Sequence, residues 1–375
     1  MASGRPPITS HRRVTYLAFR TDAREHERAT QRAVAARLAR MMGCGLDELR
    51  HSTPSLPVDL GYVVPDVTIA SLETARALGI RSEEDLFGGV VPFPFVAEKT
   101  ITHPLVAATA AAPQGWRSDF PDRVRGVALP GWSTFSSSDA RTAGRRLLQG
   151  GDVRIKLASG IGGSGQSVAR GEAELDAQLA AIGPAAFTGG VVIERNLVDV
   201  RTHSVGLVRV GSLLASYVGT QRSTRSRHGK EVYGGSAIEM ARGGFEALDR
   251  LAPNDAARGA VGMARAYHEA ALACFAGMFA SRCNYDVAEG CDATGRHCMG
   301  VLEQSWRIGG ASGAEVAALE ALLEDPALQT VRASTTELHG PDVPVPEGAT
   351  LHFSGVDDRL GPITKYAQVH RDGSA

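Results

Sequence analysis

Lysine is nearly absent from this 375-residue chain: of 40 basic side chains only four are Lys, namely Lys99, Lys156, Lys230 and Lys365. A composition that writes arginine almost everywhere keeps lysine where a compact ammonium on a thin stem is needed, and phosphate clamps are the commonest such place. Long apolar runs are missing too. None approaches the ~20 residues that a membrane span requires, and Val14–Phe19, near the start, is strand-length and flanked by charge, unlike a secretory leader. A net charge of -1 gives no excess to draw nucleic acid or an anionic membrane, and the early arginines are interleaved with Asp22, Glu25 and Glu27 as on a solvated helix face. Five cysteines, an odd number in a long chain, fit a reducing compartment, so the cytoplasm is expected. Cys283, Cys291, His297 and Cys298 crowd together but match no paired CxxC zinc spacing.

The chain alternates strand and helix signals. Val14–Phe19 reads as a strand and residues 22–42 as a helix, with Ala29, Val34, Leu38 and Met41 at three- and four-residue steps until Gly43 and Gly45 stop it. Further strands are expected at 61–64, 153–157, 167–170, 191–194, 203–210 and 213–219, and helices at 72–78, 140–148, 172–181 and 254–280. The prolines in residues 90–96 predict extended chain there, and residues 221–235 read as an Arg-rich loop.

One order of motifs carries chemistry. The strand Val153–Leu157 holds Lys156, and Gly160-Ile161-Gly162-Gly163-Ser164-Gly165 follows at once. A dinucleotide fold would open a helix after those glycines, whereas here the chain returns as a strand. A P-loop or a protein kinase would place its glycines before the lysine. A strand lysine followed by a glycine hairpin can close backbone N–H groups over phosphates; an incidental turn with a surface lysine is the plain alternative. Downstream come three strand acids, Glu194, Asp286 and Glu303.

In this order the sequence resembles the ATP-grasp superfamily from about Gly126 to Gly310. Gly126-Val127-Ala128-Leu129-Pro130-Gly131 is similar to the phrase that precedes the family's lid. Lys156 with Gly162, Gly163, Ser164 and Gly165 resembles its phosphate loop, and Lys99 its earlier nucleotide lysine. Glu194-Arg195-Asn196-Leu197 looks like the hinge that holds adenine, with Asp199 facing the ribose. Asp286 and Glu303 fall where the family places its magnesium carboxylates. The usual Glu-x-Asn reads Glu303-Gln304-Ser305 here, which makes Ser305 a weaker third oxygen ligand. A glutamate common just past the hinge is missing, leaving Asp199 in its place. The whole chain is also similar to a bacterial family of unknown function, through Ile101-Thr102-His103-Pro104-Leu105 and Gln304–Gly310.

The resemblance implies an α/β (α+β) ATP-grasp fold: an N-terminal α/β domain over 1–115, a lid over 116–188, a metal-bearing unit over 189–330 and a tail of short strands over 331–375. It implies ATP and Mg2+ as cofactors, and a ligase that joins a carboxylate to an amine or thiol through an acyl-phosphate. A non-catalytic ATP-binding module and a small-molecule kinase are the alternatives. Arg307, four residues beyond Glu303, is the candidate for steadying the transferred phosphoryl group, or else pairs with a surface acid. Arg222, Arg225, Arg227 and Lys230 form a candidate mobile clamp on an anionic small-molecule substrate, with a merely solvated loop as the alternative. No nucleic-acid or membrane partner is expected, and a homodimer is allowed.

Overall fold

The computed structural model describes residues 11–50, 60–158, 160, 165–225, 229 and 231–370. In the N-terminal part, β1 (Arg13–Ala18) leads through α1 (Glu25–Met42) to β2 (Gly45–Arg50), and β3 (Tyr62–Pro65) follows. The three strands are parallel, in the order β2-β1-β3. Val34, Ala35, Leu38 and Met42 of α1 lie against Val14, Tyr16, Tyr62 and Val64 in one core. Gly43 ends the helix in the left-handed region, φ 69, which a side chain would strain. The sequence reading misses β2 because it is a mostly exposed edge strand without apolar alternation.

After α2 (Leu72–Ala77), β4 spans only Gly89–Val90, and the expected extended stretch turns into 3₁₀ helix at Pro94–Ala97 and Lys99–Ile101. Pro94 sits at the first helical position, where its fixed φ suits a turn as well as an extended chain.

A small antiparallel sheet comes next. It follows α3 (Asp119–Val124) and is built from β5 (Gly131–Thr134), α4 (Ser137–Leu148), β6 (Val153–Leu157), β7 (Gln166–Ala169), α5 (Glu172–Ala181), α6 (Pro184–Gly189) and β8 (Val191–Arg195), with strand order β5-β8-β6-β7. Ser136 caps α4, its hydroxyl accepting from the Asp139 N–H. Ala140, Ala143 and Leu147 of α4 and Leu175 and Leu179 of α5 cover Val153, Ile155, Val191 and Ile193.

The rest of the chain is organised by an eight-stranded sheet. Its elements are β9 (Val198–Val210), β10 (Leu213–Arg225), β11 (Glu231–Arg242), α7 (Asp255–Cys274), β12 (Phe279–Ala280), β13 (Arg282–Cys291), β14 (His297–Ser305), α8 (Ser312–Glu324), β15 (Thr330–His339), β16 (Thr350–Asp357) and β17 (Gly361–His370). The sheet order is β14-β13-β9-β10-β11-β15-β17-β16, and β12 pairs with β4 to tie the N-terminal part to it.

Three expectations are corrected here. Residues 331–370 are not a tail of short strands: β15 and β17 are ten residues each, and β15 pairs with β11 inside the large sheet. Most of the supposed Arg-rich loop is strand, because Arg222 and Arg225 belong to β10, which pairs with β11. The helix expected to reach residue 280 stops at Cys274, since Gly277 takes φ 81 and Phe279 enters β12. α8 went unread because its buried residues, among them Ala314, Val316, Leu319 and Leu322, surround it and leave no amphipathic period. The chain thus has a mixed α/β fold, an N-terminal parallel unit followed by two α+β units. No helix among the described residues is long and apolar enough to cross a membrane.

Candidate functional site

Strand alternation places the acids. Asp286 on β13 and Glu303 on β14 are register partners, as are Asn284 and Ser305, so all four share one sheet face. The alternate residues Cys283, Tyr285 and Val287 pack in the core with α7. Asn284 donates from Nδ2 to Asp286 Oδ1 at 2.7 Å, and its Oδ1 accepts from Ser204 Oγ at 2.7 Å. The Tyr217 hydroxyl lies 2.7 Å from the same Asn284 oxygen and 2.6 Å from Glu315 Oε1. Burial and the facing Glu303 push the Asp286 carboxyl up to about 6, against hydrogen bonds from Gln221 and Asn284. Two carboxylates facing each other across neighbouring strands form a place for a cation.

Ser305 stands beside a cation already. Arg282 Nη1 donates to the Ser305 hydroxyl at 3.3 Å and to its carbonyl at 3.1 Å. The same guanidinium is locked to the fully buried Glu315 of α8, with Nη2 2.6 Å from Oε1. No three of His, Cys, Asp or Glu among the described residues are grouped to hold an ion, so the segment with Cys283, Cys291, His297 and Cys298 is an ordinary hairpin. The oxygen donors on offer are the Asp286–Glu303 pair. That set fits magnesium, which commonly takes one or two protein carboxylates and completes its shell with phosphates and water.

The small sheet holds the opposite arrangement. Lys156 and Glu194 are both buried, with Nζ 2.5 Å from Oε1, and His103 Nε2 is 3.3 Å from Oε2. Burial pushes the Glu194 carboxyl up, but Lys156 and His103 outweigh it and hold the group down at about 2. Oε1 of Glu194 thus faces the Lys156 ammonium and Oε2 the His103 ring, so both oxygens of the carboxylate are engaged.

Lys99 joins the two regions. Its Nζ is 2.7 Å from Glu303 Oε2 and also donates to the Gly160 carbonyl at the base of the glycine loop. Gly162, Gly163 and Ser164 lie outside the described residues, as do Arg227 and Lys230. Gly165, on the far side of the loop, takes φ 67, and its carbonyl accepts from the Leu157 N–H.

The remaining candidates fall as follows. Leu197 is buried with Leu129 and Ala288 in a small apolar cluster flanked by Cys298 and Leu302. Asp199 is exposed and sits at φ 54, a left-handed conformation that aspartate tolerates better than most residues. Arg307 donates to the Ile308 carbonyl and forms no ion pair among the described residues. Burial lowers its pKa and the nearby Glu303 opposes that. Arg222 is tied to the Thr335 carbonyl and the Thr336 hydroxyl, which makes it part of the sheet rather than of a mobile clamp. Sequence reasoning missed Arg282 and Asn284; stepping back by twos along β13 from Asp286 finds both. His103, Tyr217 and Glu315 left no such signal, because only tertiary contact brings them to the site.

The molecule is therefore a mixed α/β protein in which a small sheet with a buried lysine and a large sheet with a facing acid pair are bridged by a second lysine. Residues 14–367 match the family described as protein of unknown function (DUF3182), and the chain belongs to that family. No curated protein matches the sequence. The chain is similar to D-alanyl-alanine synthetase A from Vibrio cholerae O1 biovar eltor str. N16961, with TM-score 0.46 and 11% identity over 80% of this chain and 89% of that one. It is also similar to D-alanine–D-alanine ligase from Bacillus anthracis complexed with ATP, with TM-score 0.44 and 11% identity over 80% and 87%. D-cycloserine synthetase DcsG gives TM-score 0.45 and 12% identity over 79% and 92%. At this degree of likeness the functional reading rests on the site itself.

Proposed function

We propose that this protein is an ATP-grasp enzyme, an ATP- and magnesium-dependent ligase that activates a small anionic carboxylate as its acyl-phosphate for attack by an amine or thiol. The observation that carries the reading is Lys99, whose ammonium touches Glu303 and the glycine loop at once, so that the loop base and the acid pair lie within one side chain's reach. Phosphoryl transfer asks the protein mainly for alignment and neutralisation of charge. Lys99 would bring positive charge toward the phosphates, the buried Lys156–Glu194 pair would stiffen the strands behind them, and the Leu129–Leu197–Ala288 cluster would offer an apolar wall for the base. Asp286 and Glu303 would hold magnesium, which when bound neutralises phosphate charge. Arg307, which forms no ion pair among the described residues, would meet the anionic acceptor. Five free cysteines support the cytoplasm as its compartment.

A second reading, a non-catalytic ATP-binding module, is favoured by one observation: the Ser305 hydroxyl is engaged by Arg282, so that among the described residues the Asp286–Glu303 pair is left for the ion. Incubation with ATP, magnesium and pooled carboxylates, amines and thiols separates the readings. ADP together with an amide or thioester is the expected result. ADP with a stable phosphorylated product makes the protein a kinase, and no ADP makes it a binder.

A further inference from the structure

Helix α8 is buried on nearly every side, yet it carries a carboxylate into the interior, Glu315. Its counter-ion is Arg282, the first residue of β13 and buried as deeply. Taking two charges out of water is costly, and well-packed apolar residues of the same volume commonly serve stability as well. The pair calls for a use beyond stability. One edge of the guanidinium is committed to α8: Nη2 donates to Glu315 Oε1 at 2.6 Å and Nε to Oε2 at 3.0 Å. The third nitrogen, Nη1, donates instead to the Ser305 carbonyl at 3.1 Å and to the Arg307 carbonyl. A planar fork of five N–H groups can hold both sides at once, which a lysine ammonium cannot.

The clamped segment carries Arg307. Its neighbours are sunk in two different cores, Trp306 in the one that includes α7 and Ile308 in the one that α8 shares with α1. Trp306 Nε1 donates to the Tyr285 hydroxyl at 3.1 Å, and the Gly309 N–H donates to Ser312 Oγ at 3.0 Å. The chain is thus fixed on both sides of Arg307, and the Arg307 carbonyl is fixed by Arg282. The Arg307 side chain forms no ion pair among the described residues, and Glu303 is the acid that acts on it most strongly. Glu315 also offsets the charge of Arg282, which by itself repels the Arg307 guanidinium.

We propose that Arg282 is a positioning residue for Arg307: clamped to Glu315 of α8, it fixes the Ser305–Arg307 backbone so that the Arg307 guanidinium steadies the phosphoryl group in transfer. The inference rests on the ATP reading above and adds to it a buried pair outside the nucleotide motifs.

Calorimetric titration of the full chain with magnesium and ADP, without and with aluminium fluoride, tests it, because the fluoride complex mimics a phosphoryl group between donor and acceptor. Wild type is expected to bind ADP about 100-fold more tightly with the fluoride, and Arg307→Ala to lose most of that gain. Arg282→Lys keeps a cation for Glu315 but not the fork. It is expected to lose about tenfold of the gain while its affinity for ADP alone stays within about twofold of wild type. Arg282→Met/Glu315→Gln, which leaves no unpaired buried charge, should lose as much. A merely structural Arg282 would alter both titrations alike, so an unchanged gain in either folded variant overturns the proposal. If Arg282→Lys does not fold, the double variant decides. A gain that survives Arg307→Ala, or is absent from wild type, also overturns it while leaving the ATP reading intact. Wild type that binds neither ADP nor ATP overturns the ATP reading, and this proposal with it.

Discussion

The small sheet and the large sheet each bury a carboxylate at the candidate site, and the two behave in opposite ways. Glu194, between Lys156 and His103, is held down at about 2, whereas Asp286, facing Glu303, is pushed up to about 6. Burial disfavours the charge in both; only the neighbour differs. The small-sheet end is complete in itself, with its charge balanced before any ligand arrives. The large-sheet end carries surplus negative charge, which Lys99 covers from one side by its contact with Glu303. On the proposed function, the preformed end would meet the nucleotide and the acid end would take the cation of a magnesium–nucleotide complex.

Breaking the balanced end should cost most. Lys156→Met leaves Glu194 buried without its counter-charge and is expected to destabilise the fold by about 3–5 kcal/mol in denaturant titration. The double variant Lys156→Met/Glu194→Gln should recover most of that loss. If the single variant is as stable as wild type, the pair is not the balanced unit described here.

Breaking the unbalanced end should have the opposite sign. Asp286→Asn relieves like-charge repulsion and is expected to stabilise the magnesium-free protein by about 1–2 kcal/mol while abolishing the magnesium dependence of ATP affinity. Acid provides the same contrast without mutation. The folded-state pKa of Asp286 is raised, so its ionisation cost is present above about pH 6 and fades as pH falls below that. Glu194 is depressed from 4.5, so its stabilisation persists above that value and is lost only as pH falls toward about 2. The magnesium dependence of ATP binding should therefore collapse between pH 7 and 5, a window in which the Lys156–Glu194 pair stays intact. Magnesium dependence that holds unchanged at pH 5 would place the ion elsewhere.

The smallest effect is expected at Ser305. Ser305→Asn adds a carbonyl oxygen on the acid face but must share it with Arg282, so magnesium affinity should rise by no more than a few-fold, about 0.5 kcal/mol. No change at all in either nucleotide or magnesium affinity would favour the non-catalytic reading.

Much of the local structure was legible because it is local. The three- and four-residue steps of α1 and the glycine that stops it follow from periodicity and capping, and α5 spans the residues expected of it. Where single residues serve two conformations the reading failed: Pro94 starts a turn, and the Arg222 region extends a hairpin instead of looping. β2 and α8 escaped because one is nearly all exposed and the other buried all round, so neither shows a period. At the candidate site, Lys156, Glu194, Asp286 and Glu303 stood out by residue type and order, and Lys99 through the family resemblance.

By itself, the sequence determined which groups are available: four lysines in an arginine-rich chain, strand acids in a set order and a glycine hairpin after Lys156. Tertiary structure alone decided their states. It set Glu194 against a lysine and Asp286 against another acid, brought His103 across from a separate strap, and gave the Ser305 hydroxyl to Arg282. The physical reason is that chemical identity is a property of the residue, whereas ionisation and the direction of a lone pair depend on burial and on the sign of the nearest charge. Those are fixed by contacts between strands and helices far apart in the chain.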